Sequence, residues 1–441
     1  MKQAVTNWGK YPVIEADLVS PSAPEDLLFY PTEHKPLIAR GLGRCYGDSA
    51  LSDTIVSTLQ WNKFLQFDES TGILVCESGA SFEDIILTFL PRGFFLPVTP
   101  GTKFITVGGA IASDIHGKNH HSEGTFSHHL HWIDLLTADK GIVRCSKLEN
   151  ADLFWATCGG MGLTGIIVRA CFSLKKVETA YIKQTSIKAK NLDHIMDLLA
   201  EYGHFTYSVA WIDCLSKGGS LGRSILLLGE HAKMEDLSES QKQKPFATHK
   251  DSPLLVPFDF PSFTLNHLSV SAFNFLFYNK TRSGIRENVI HYDPYYYPLD
   301  AIHHWNRIYG KRGFTQYQFV IPLEGGREGM RKILKKVTES GESSFLSVLK
   351  IFGKEKQRGL LFPAEGYTLT LDFPITKSVF KLLDELDRMV LDLGGKVYLT
   401  KDVRLSAETF AKMYPKADFQ AIRSQAGSVG VFESEQSKRL F

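Results

Sequence analysis

The sequence predicts an α+β protein in which a two-part first domain encloses an inserted second domain. The 441 residues exceed what a single hydrophobic core usually serves. Short strands and glycine-rich turns fill the first third, whereas strands alternate with long amphipathic helices from about residue 180. Short elements return near the end of the chain. We therefore expect domain limits at 1–179, 180–395 and 396–441.

The first part is expected to contain short strands and one well-capped helix. Runs of apolar and β-branched residues bounded by turn residues predict strands at 36–39, 54–57, 73–77, 132–136 and 163–170. Ser81 and Asp84 have the spacing of a capping box, so a helix should begin after Ser81. Its apolar face is supplied at helical spacing by Phe82, Ile85, Ile86 and Phe89.

The inserted part should be an antiparallel sheet covered by helices. Amphipathic helices are predicted over roughly 192–202, 327–340 and 378–393, and glycines follow the first and the third. Strand-like segments at 317–321 and 368–373 precede the second and third helices. This alternation places helices on one face of the sheet.

Composition excludes several classes of protein. A net charge of +2, from 50 basic and 48 acidic residues, argues against nucleic-acid binding. The six cysteines form no C-x-x-C pair, so we expect reduced thiols in a reducing compartment and no metal site. The N-terminus lacks the apolar core of a signal peptide, and no run of eighteen apolar residues occurs. A cytoplasmic protein is therefore expected.

One apolar segment, Pro253 to Tyr278, stands out because it carries many Leu, Phe and Val residues and almost no charge. Prolines and polar residues interrupt it, so a loop is expected rather than a membrane-spanning helix. The loop either packs into the protein core or remains exposed and contacts lipid.

Three strips of glycine and small residues carry the chemistry. They are Arg40-Gly41-Leu42-Gly43-Arg44-Cys45-Tyr46-Gly47-Asp48, the stretch from Pro100 to Asn119, and Gly159 to Ile167. The first strip alone is equally well read as a simple turn, since no helix follows it directly. His116 alone would more often be a structural histidine. Together the strips indicate close backbone approach to a large planar dinucleotide.

These strips resemble the FAD domain of the vanillyl-alcohol-oxidase type of flavoproteins. Within that family, the run Gly117-Lys118-Asn119-His120-His121 after Asp114-Ile115-His116 is similar to oxidases of polyprenyl-phosphoryl-pentoses. The resemblance extends through 153–157, 297–300, 316–322, 349–353 and 398–402. It therefore covers nearly the whole chain and implies a two-part FAD domain with a substrate pocket formed by the inserted domain.

The resemblance also implies roles for individual residues. Those expected to hold FAD are Ala39, Arg40, Gly41, Leu42, Gly43, Arg44, Cys45, Tyr46, Gly47, Asp48, Ser49, Gly101, Thr106, Val107, Gly108, Gly109, Ser113, Asp114, Ile115, His116, Ile167 and Tyr398. Those expected to surround the sugar phosphate are Lys118, Tyr296, Gln316, Gln318, Lys350 and Lys401. Lys401, His116 and Tyr46 are the candidates for catalysis, because hydride loss from a carbinol needs a proton acceptor and a nearby cation.

The implied activity is oxidation of the 2′-hydroxyl of a polyprenyl-phosphoryl-β-D-ribose to the 2′-keto sugar. A partner keto-reductase would then complete an epimerisation, and the lipid substrate implies peripheral membrane contact. The alternatives are an oxidase of free alditols or sugar lactones and a non-catalytic protein that binds flavin or lipid phosphate. Many relatives tether FAD through a histidine in the first loop. Arg44-Cys45 stands there instead, so the FAD is expected to be non-covalent.

Overall fold

The N-terminal part contains two main sheets. The computed structural model describes residues 2–28, 30–250, 254–261, 263–281, 284–342 and 344–441. The strands up to residue 176 are β1 (Lys2–Val5), β2 (Ile14–Val19), β3 (Leu37–Arg40), β4 (Thr54–Ser57), β5 (Phe64–Asp68), β6 (Ile73–Glu77), β7 (Phe94–Phe95), β8 (Leu130–Leu136), β9 (Ile142–Ser146), β10 (Ile166–Ser173) and β11 (Lys175–Lys176). The main sheets have the orders β1-β2-β4-β3 and β5-β6-β10-β8-β9, and β7 pairs with β11. Strand β4 runs parallel to β2 and β3, whereas the second sheet is antiparallel.

The helices of this part connect the strands, and α2 and α3 begin at residues whose side chains cap them. They are α1 (Tyr30–Glu33), α2 (Phe82–Phe89), α3 (Val107–Ala112), α4 (His120–Glu123) and α5 (Ala151–Thr157). The predicted cap of α2 is confirmed, because Ser81 Oγ accepts a hydrogen bond from the Asp84 backbone N–H at 3.0 Å. The apolar side chains predicted for its inner face are buried.

The inserted part is built on a large sheet, here called the cap sheet. Its strands are β12 (Tyr181–Ala189), β13 (Tyr207–Ile212), β14 (Ser224–His231), β15 (Ile285–His291), β16 (Phe314–Pro322), β17 (Ser347–Phe352), β18 (Gly366–Pro374) and β19 (Lys396–Val397). They follow the order β15-β12-β14-β13-β17-β18-β16-β19, and every pairing is antiparallel. The predicted α+β class with an antiparallel sheet in the inserted part is confirmed.

Helices cover one face of the cap sheet. The helices of this part are α6 (Leu192–Glu201), α7 (Glu239–Lys242), α8 (His267–Lys280), α9 (Tyr292–Tyr296), α10 (Gly326–Ser340) and α11 (Lys377–Asp392). Ile333 of α10 and Leu386 of α11 share one core with Phe319 of β16. Since side chains alternate along a strand, Gln316 and Gln318 of β16 lie on the opposite face, which turns toward the first part of the chain.

The C-terminal segment returns to the first part of the chain. Its helices are α12 (Ala407–Met413), α13 (Lys416–Gln425) and α14 (Glu435–Leu440). The Leu37 backbone N–H donates to the Val431 carbonyl at 2.9 Å, and the Glu433 N–H donates to the Leu37 carbonyl at 3.0 Å. Buried Arg423 donates to the Leu163 carbonyl at 3.0 Å. The domain limits at 179 and 395 stay predictions, and β19 continues the cap sheet just beyond the second limit.

The apolar segment is not the loop that the sequence predicts. Most of its second half forms α8, while Pro253 and Ser262 lie outside the described residues. Large apolar side chains of the segment are exposed, among them Leu268 at 79% and Leu276 at 68%. Full packing into the core is therefore also wrong. Along the part of the chain that the structure describes, every helix is too short or too polar to cross a bilayer.

Candidate active site

Distant segments of the chain meet where the first part faces the cap sheet. These segments are 39–49, 101–117, 159–165 and 398–402. The Tyr46 backbone N–H donates to the Thr400 carbonyl at 3.1 Å, and the Met161 N–H donates to the Ala112 carbonyl at 2.9 Å. The structure thus brings the predicted cofactor strips and Lys401 to one place.

The first loop has free backbone donors. The N–H groups of residues 41–44 make no hydrogen bond to any residue within the described ranges. Gly43 adopts a left-handed conformation with φ of 62°, which a side chain would disfavour. A Cβ added at Gly41 would lie 2.2 Å from Thr106 Oγ1, so only glycine lets the loop approach the second strip this closely. Successive free N–H groups with an αL residue form an anion-binding concavity. This concavity fits the diphosphate of the implied FAD.

The second strip forms the start of α3 and the turn after it. Thr106 caps α3, because its Oγ1 accepts from the Gly109 N–H at 3.2 Å, and Val107 and Gly108 follow within the helix. Open space surrounds the Cα of Gly101, since a Cβ added there would meet nothing within 4 Å. The strip therefore leaves space beside the backbone at Gly101.

The remaining predicted cofactor residues differ in what their side chains do. The Tyr398 hydroxyl donates to the Ser113 carbonyl at 2.8 Å, which joins the fourth segment to the second. Ile115 and Ile167 are buried in the core of the second sheet. Ala39 and Arg40 end β3, and the Arg40 guanidinium donates to the Asn7 side chain and to the Thr6 carbonyl at 2.8 Å.

Two predicted cofactor residues have carboxylates that already bind protein groups. Asp48 accepts from the Arg439 guanidinium at 2.9 Å and 3.1 Å. Asp114 accepts from the hydroxyls of Thr125 at 3.0 Å and Ser127 at 2.8 Å. Burial raises the pKa of both carboxyls to about 6. Both carboxylates therefore already have partners within the protein.

Arg44 and Cys45 occupy the position where a tethering histidine would stand. The Arg44 guanidinium lies 4.0 Å from the centre of the Trp8 ring and 5.3 Å from that of Phe104. Burial raises the pKa of the Cys45 thiol, which also bonds Ser49. All six cysteines are free, as predicted. Because the Cys45 thiol stays protonated, it is a poor nucleophile.

The predicted catalytic and sugar-binding side chains lie close together under the cap sheet, in a cluster that we call the chamber. Lys401 Nζ lies 4.0 Å from the centre of the Tyr46 ring. The Gln316 amide donates to the Tyr46 hydroxyl at 3.3 Å. The Gln318 amide and His116 Nε2 are 2.9 Å apart, and His116 Nδ1 has no partner among the described residues. These groups can hold a polyol through several hydrogen bonds.

Three half-buried lysines give the chamber an excess of positive charge. Burial, followed by the charge of Lys350, lowers the pKa of Lys118 to about 7. Burial, followed by the charge of Lys401, lowers the pKa of Lys350 to about 7. Burial also lowers the pKa of Lys401, and it lowers the pKa of His116 well below its usual value. Ammonium groups that repel one another in this way are suited to an anionic ligand.

The other predicted sugar-binding residues, two lysines and one tyrosine, contact different parts of the protein. Lys350 Nζ donates to the Gly117 carbonyl at 3.4 Å, and Lys118 Nζ donates to the Tyr295 carbonyl. Tyr296 is packed into an aromatic core, with its ring centre 5.6 Å from Lys118 Nζ. It therefore borders the chamber through its ring.

Sequence reasoning missed several residues of the chamber. Asp372 of β18 accepts a hydrogen bond from Gln316, and its carboxylate is fully buried. The rings of Phe352 and Phe362 lie 4.8 Å and 5.7 Å from that of His116. Asp372 lies in the predicted strand 368–373, but only the cross-strand register with Gln316 reveals its position. Phe352 lies in the segment 349–353 that carries the resemblance, but no role was expected of it, and no sequence signal marked Phe362.

Comparison with known proteins agrees with this geometry. The sequence pattern of the FAD binding domain family matches residues 26–146. The chain is 38% identical to the decaprenylphosphoryl-β-D-ribose oxidase of Mycolicibacterium smegmatis, over 98% of this chain and 96% of that protein. An uncharacterised protein of Streptomyces coelicolor is 34% identical over 80% of this chain and 97% of its own length. The Δ(24)-sterol reductase of Rattus norvegicus is 33% identical over 24% of this chain and 20% of its own. The chain is an FAD-dependent oxidoreductase that belongs to the decaprenylphosphoryl-β-D-ribose oxidase family.

Proposed function

We propose that the protein oxidises the 2′-hydroxyl of a polyprenyl-phosphoryl-β-D-ribose to the 2′-keto sugar. The observation that carries the proposal is the group of three half-buried lysines beside His116 and Gln318, in a chain 38% identical to an oxidase named for such a substrate. A free alditol or lactone has no anion to place among these lysines. The rival oxidase is therefore less well supported.

The substrate phosphate is assigned to Lys118 and Lys350. Each has a pKa near 7 because burial and a neighbouring ammonium disfavour its charge. A phosphodiester between them would add the missing negative charge and raise both pKa values. As point charges with rotatable donors, lysines suit a phosphate whose orientation is fixed elsewhere.

The sugar is assigned to the amides and rings of the chamber. The carboxamides of Gln316 and Gln318 and the hydroxyl of Tyr46 offer donors and acceptors to ribose hydroxyls. His116 is neutral, because its pKa is strongly lowered by burial and by nearby charges that include Lys350 and Lys401. The Gln318 amide donates to Nε2, so the ring carries its proton on Nδ1, which has no partner among the described residues. A neutral imidazole accepts a proton only at the nitrogen that carries none, so His116 would take the hydroxyl proton at Nε2 once the Gln318 amide turns to the sugar.

FAD is assigned to the four converging segments without a covalent bond. Bound FAD would supply the acceptor for the hydride lost from the carbinol carbon. Loop residues 41–44 would hold its diphosphate through N–H groups that have no partner among the described residues. Lys401 would supply a cation that offsets the negative charge produced by hydride transfer. Because Arg44 replaces a tethering histidine and the Cys45 thiol is protonated, the chain offers no nucleophile there.

The polyprenyl tail is assigned to the apolar surface that includes α8, which would also give peripheral contact with the cytoplasmic face of a membrane. Phe258 is 63% exposed and Phe275 58% exposed, whereas Val270 anchors the helix on the inner side. The Asn274 amide donates to Asp213 at 2.8 Å and ties α8 to the residue after β13. An apolar surface of this kind is suited to lipid. A separate keto-reductase would convert the product into the arabinose form.

Anaerobic mixing of the FAD-loaded protein with farnesylphosphoryl-β-D-ribofuranose tests this function. Loss of the yellow flavin absorbance is expected with this compound and not with ribose, xylitol or a sugar lactone. Bleaching by xylitol or the lactone alone would favour the rival oxidase. A protein that takes up no FAD, or FAD that stays oxidised with every compound, would contradict the proposal.

A further inference from the structure

A buried carboxylate outside the predicted site lies against the chamber. Asp372 has 0% of its surface exposed and lies on β18 directly across from Gln316 of β16. Its Oδ1 accepts from the Gln316 amide, whereas within the described part of the chain its Oδ2 has only the nearby Tyr309 hydroxyl and no hydrogen bond of good geometry. Its backbone N–H donates to Ser344 Oγ at 2.9 Å, which fixes the strand at this point. A buried carboxylate with a free oxygen is costly unless it faces a positive charge.

A continuous set of contacts leads from this carboxylate to Lys401. The Gln316 amide that donates to Asp372 also donates to the Tyr46 hydroxyl at 3.3 Å. The Tyr46 ring in turn contacts Lys401, whose Nζ lies 4.0 Å from the ring centre. The set joins two strands of the cap sheet to the first loop and to the C-terminal segment.

The charges around Lys401 explain why it needs a counter-ion. Lys350 carries a charge of the same sign, and the two ammonium groups repel each other. Asp372 and the thiol of Cys45 are the acidic groups that favour the charged form of Lys401. Burial raises the pKa of Asp372 to about 7, whereas the Gln316 amide, the charge of Lys401 and the Tyr309 hydroxyl favour its charged form. Burial raises the pKa of the Cys45 thiol further above that of the carboxyl, so Asp372 is the group of the two that is ionised first and is the effective partner of Lys401.

We propose that Asp372 is a positioning residue that keeps Lys401 charged in the oxidised enzyme, acting across the Gln316–Tyr46 pair. This inference rests on the proposed function, since it gives Lys401 the role of the cation beside FAD. Loss of the carboxylate would leave Lys401 among like charges, so Lys401 would lose its proton at lower pH. Flavin reduction, which uses the charged form, would then decline at lower pH than in the wild type.

The test compares Asp372→Asn with the wild type, because asparagine keeps the shape and an acceptor for Gln316 but removes the charge. Reduction of bound FAD by farnesylphosphoryl-β-D-ribofuranose is followed by anaerobic stopped flow across the pH range. We expect the alkaline decline of the reduction rate to move down by about 1 pH unit or more. Asp197→Asn is the matched control, because Asp197 is 63% exposed and pairs with Arg327 on an outer helix. It should leave the decline where it is.

A second readout needs no substrate. The midpoint potential of bound FAD, measured against pH, should change slope at the pKa of Lys401, and this break should move down in Asp372→Asn. Because this measurement uses no substrate, it tests the role of Asp372 independently of the proposed function. The proposed function fails if the prenyl phosphate does not reduce FAD in the wild type. Asp372→Glu, which keeps the charge, should stay near the wild type in both readouts.

Three outcomes would overturn the proposal. The first is an unchanged rate decline and potential break in Asp372→Asn, and the second is an equal shift in Asp372→Glu. The third is loss of FAD by both Asp372→Asn and the smaller Asp372→Ser, because a residue that only sets the charge of Lys401 is not needed to hold the cofactor.

A double variant gives a further expected result. In a Lys401→Met background, adding Asp372→Asn should slow reduction no further.

Discussion

Replacing Lys350 with methionine should stabilise the protein while weakening substrate binding. Lys350 lies on β17, half-buried in the chamber, and its ammonium group is close enough to Lys401 for repulsion. Among the described residues, its ammonium group makes a single hydrogen bond, which is a long one of 3.4 Å to the Gly117 carbonyl. Methionine has a similar length and no charge, so it fills the space without the desolvation cost.

The magnitude follows from the pKa of Lys350. Burial and Lys401 lower it from 10.5 to about 7, and each unit corresponds to about 1.4 kcal/mol. Because the side chain is only half-buried, water screens much of this, and we expect a gain of about 1–2 kcal/mol in the free energy of unfolding. Lys350 is charged in both states below pH 7, so the penalty is complete there. Between pH 7 and 10.5 only the unfolded state keeps the proton, so the penalty disappears as pH rises.

Urea unfolding of the wild type and Lys350→Met at pH 6 and pH 9.5 measures this effect. The variant should be more stable at pH 6, and the difference should shrink at pH 9.5. Lys335→Met, which changes an exposed lysine of α10, is the matched control and should show no such dependence. A Lys350→Met protein that is less stable at pH 6, or equally stabilised at both pH values, would refute the reasoning.

Other predictions concern the cofactor, the cation and the lipid surface. Acid precipitation should release all the FAD into the supernatant, and flavin retained in the pellet would contradict non-covalent binding. Lys401→Ala should keep FAD yet reduce it roughly a hundredfold or more slowly in stopped-flow assays; reduction at the wild-type rate would remove Lys401 from the mechanism. Changing both Phe275 and Leu276 of α8 to glutamine should raise KM about tenfold for a long prenyl substrate and spare a short-chain analogue. Equal effects on both substrates would show that the segment is structural.

The parts of the fold with local signals were predictable from the sequence. Ser81 and Asp84 fixed the start of α2, and the strands Thr54–Ser57 and Ile73–Glu77 have their predicted limits. Helix α8 was not predicted because its own apolar residues are distributed around its whole circumference, so the sequence shows no helical periodicity. Its cap carried a signal, since Asn266 Oδ1 accepts from the N–H groups of Leu268 and Ser269.

The site was only partly predictable, because it depends on contacts between distant strands. The glycine strips and the run around His116 identified the segments that converge. Asp372 and Gln316 are 56 residues apart in the sequence, but the pairing of β18 with β16 places them opposite each other. The position of Asp372 in the site could therefore be recognised only from the structure. The carboxylates of Asp48 and Asp114 look like cofactor contacts in the sequence, whereas Arg439 and the Thr125 and Ser127 hydroxyls bind them.

Isotopic labelling of the substrate tests the central claim most directly. Farnesylphosphoryl-β-D-ribofuranose carrying deuterium at C2′ would be compared with the same compound labelled at C3′, and reduction of bound FAD followed anaerobically. If the chamber directs the 2′-carbinol to the flavin, only the C2′ label should slow reduction, and the product should have lost that deuterium. Slowing by the C3′ label alone, or a product that retains deuterium at C2′, would contradict the account.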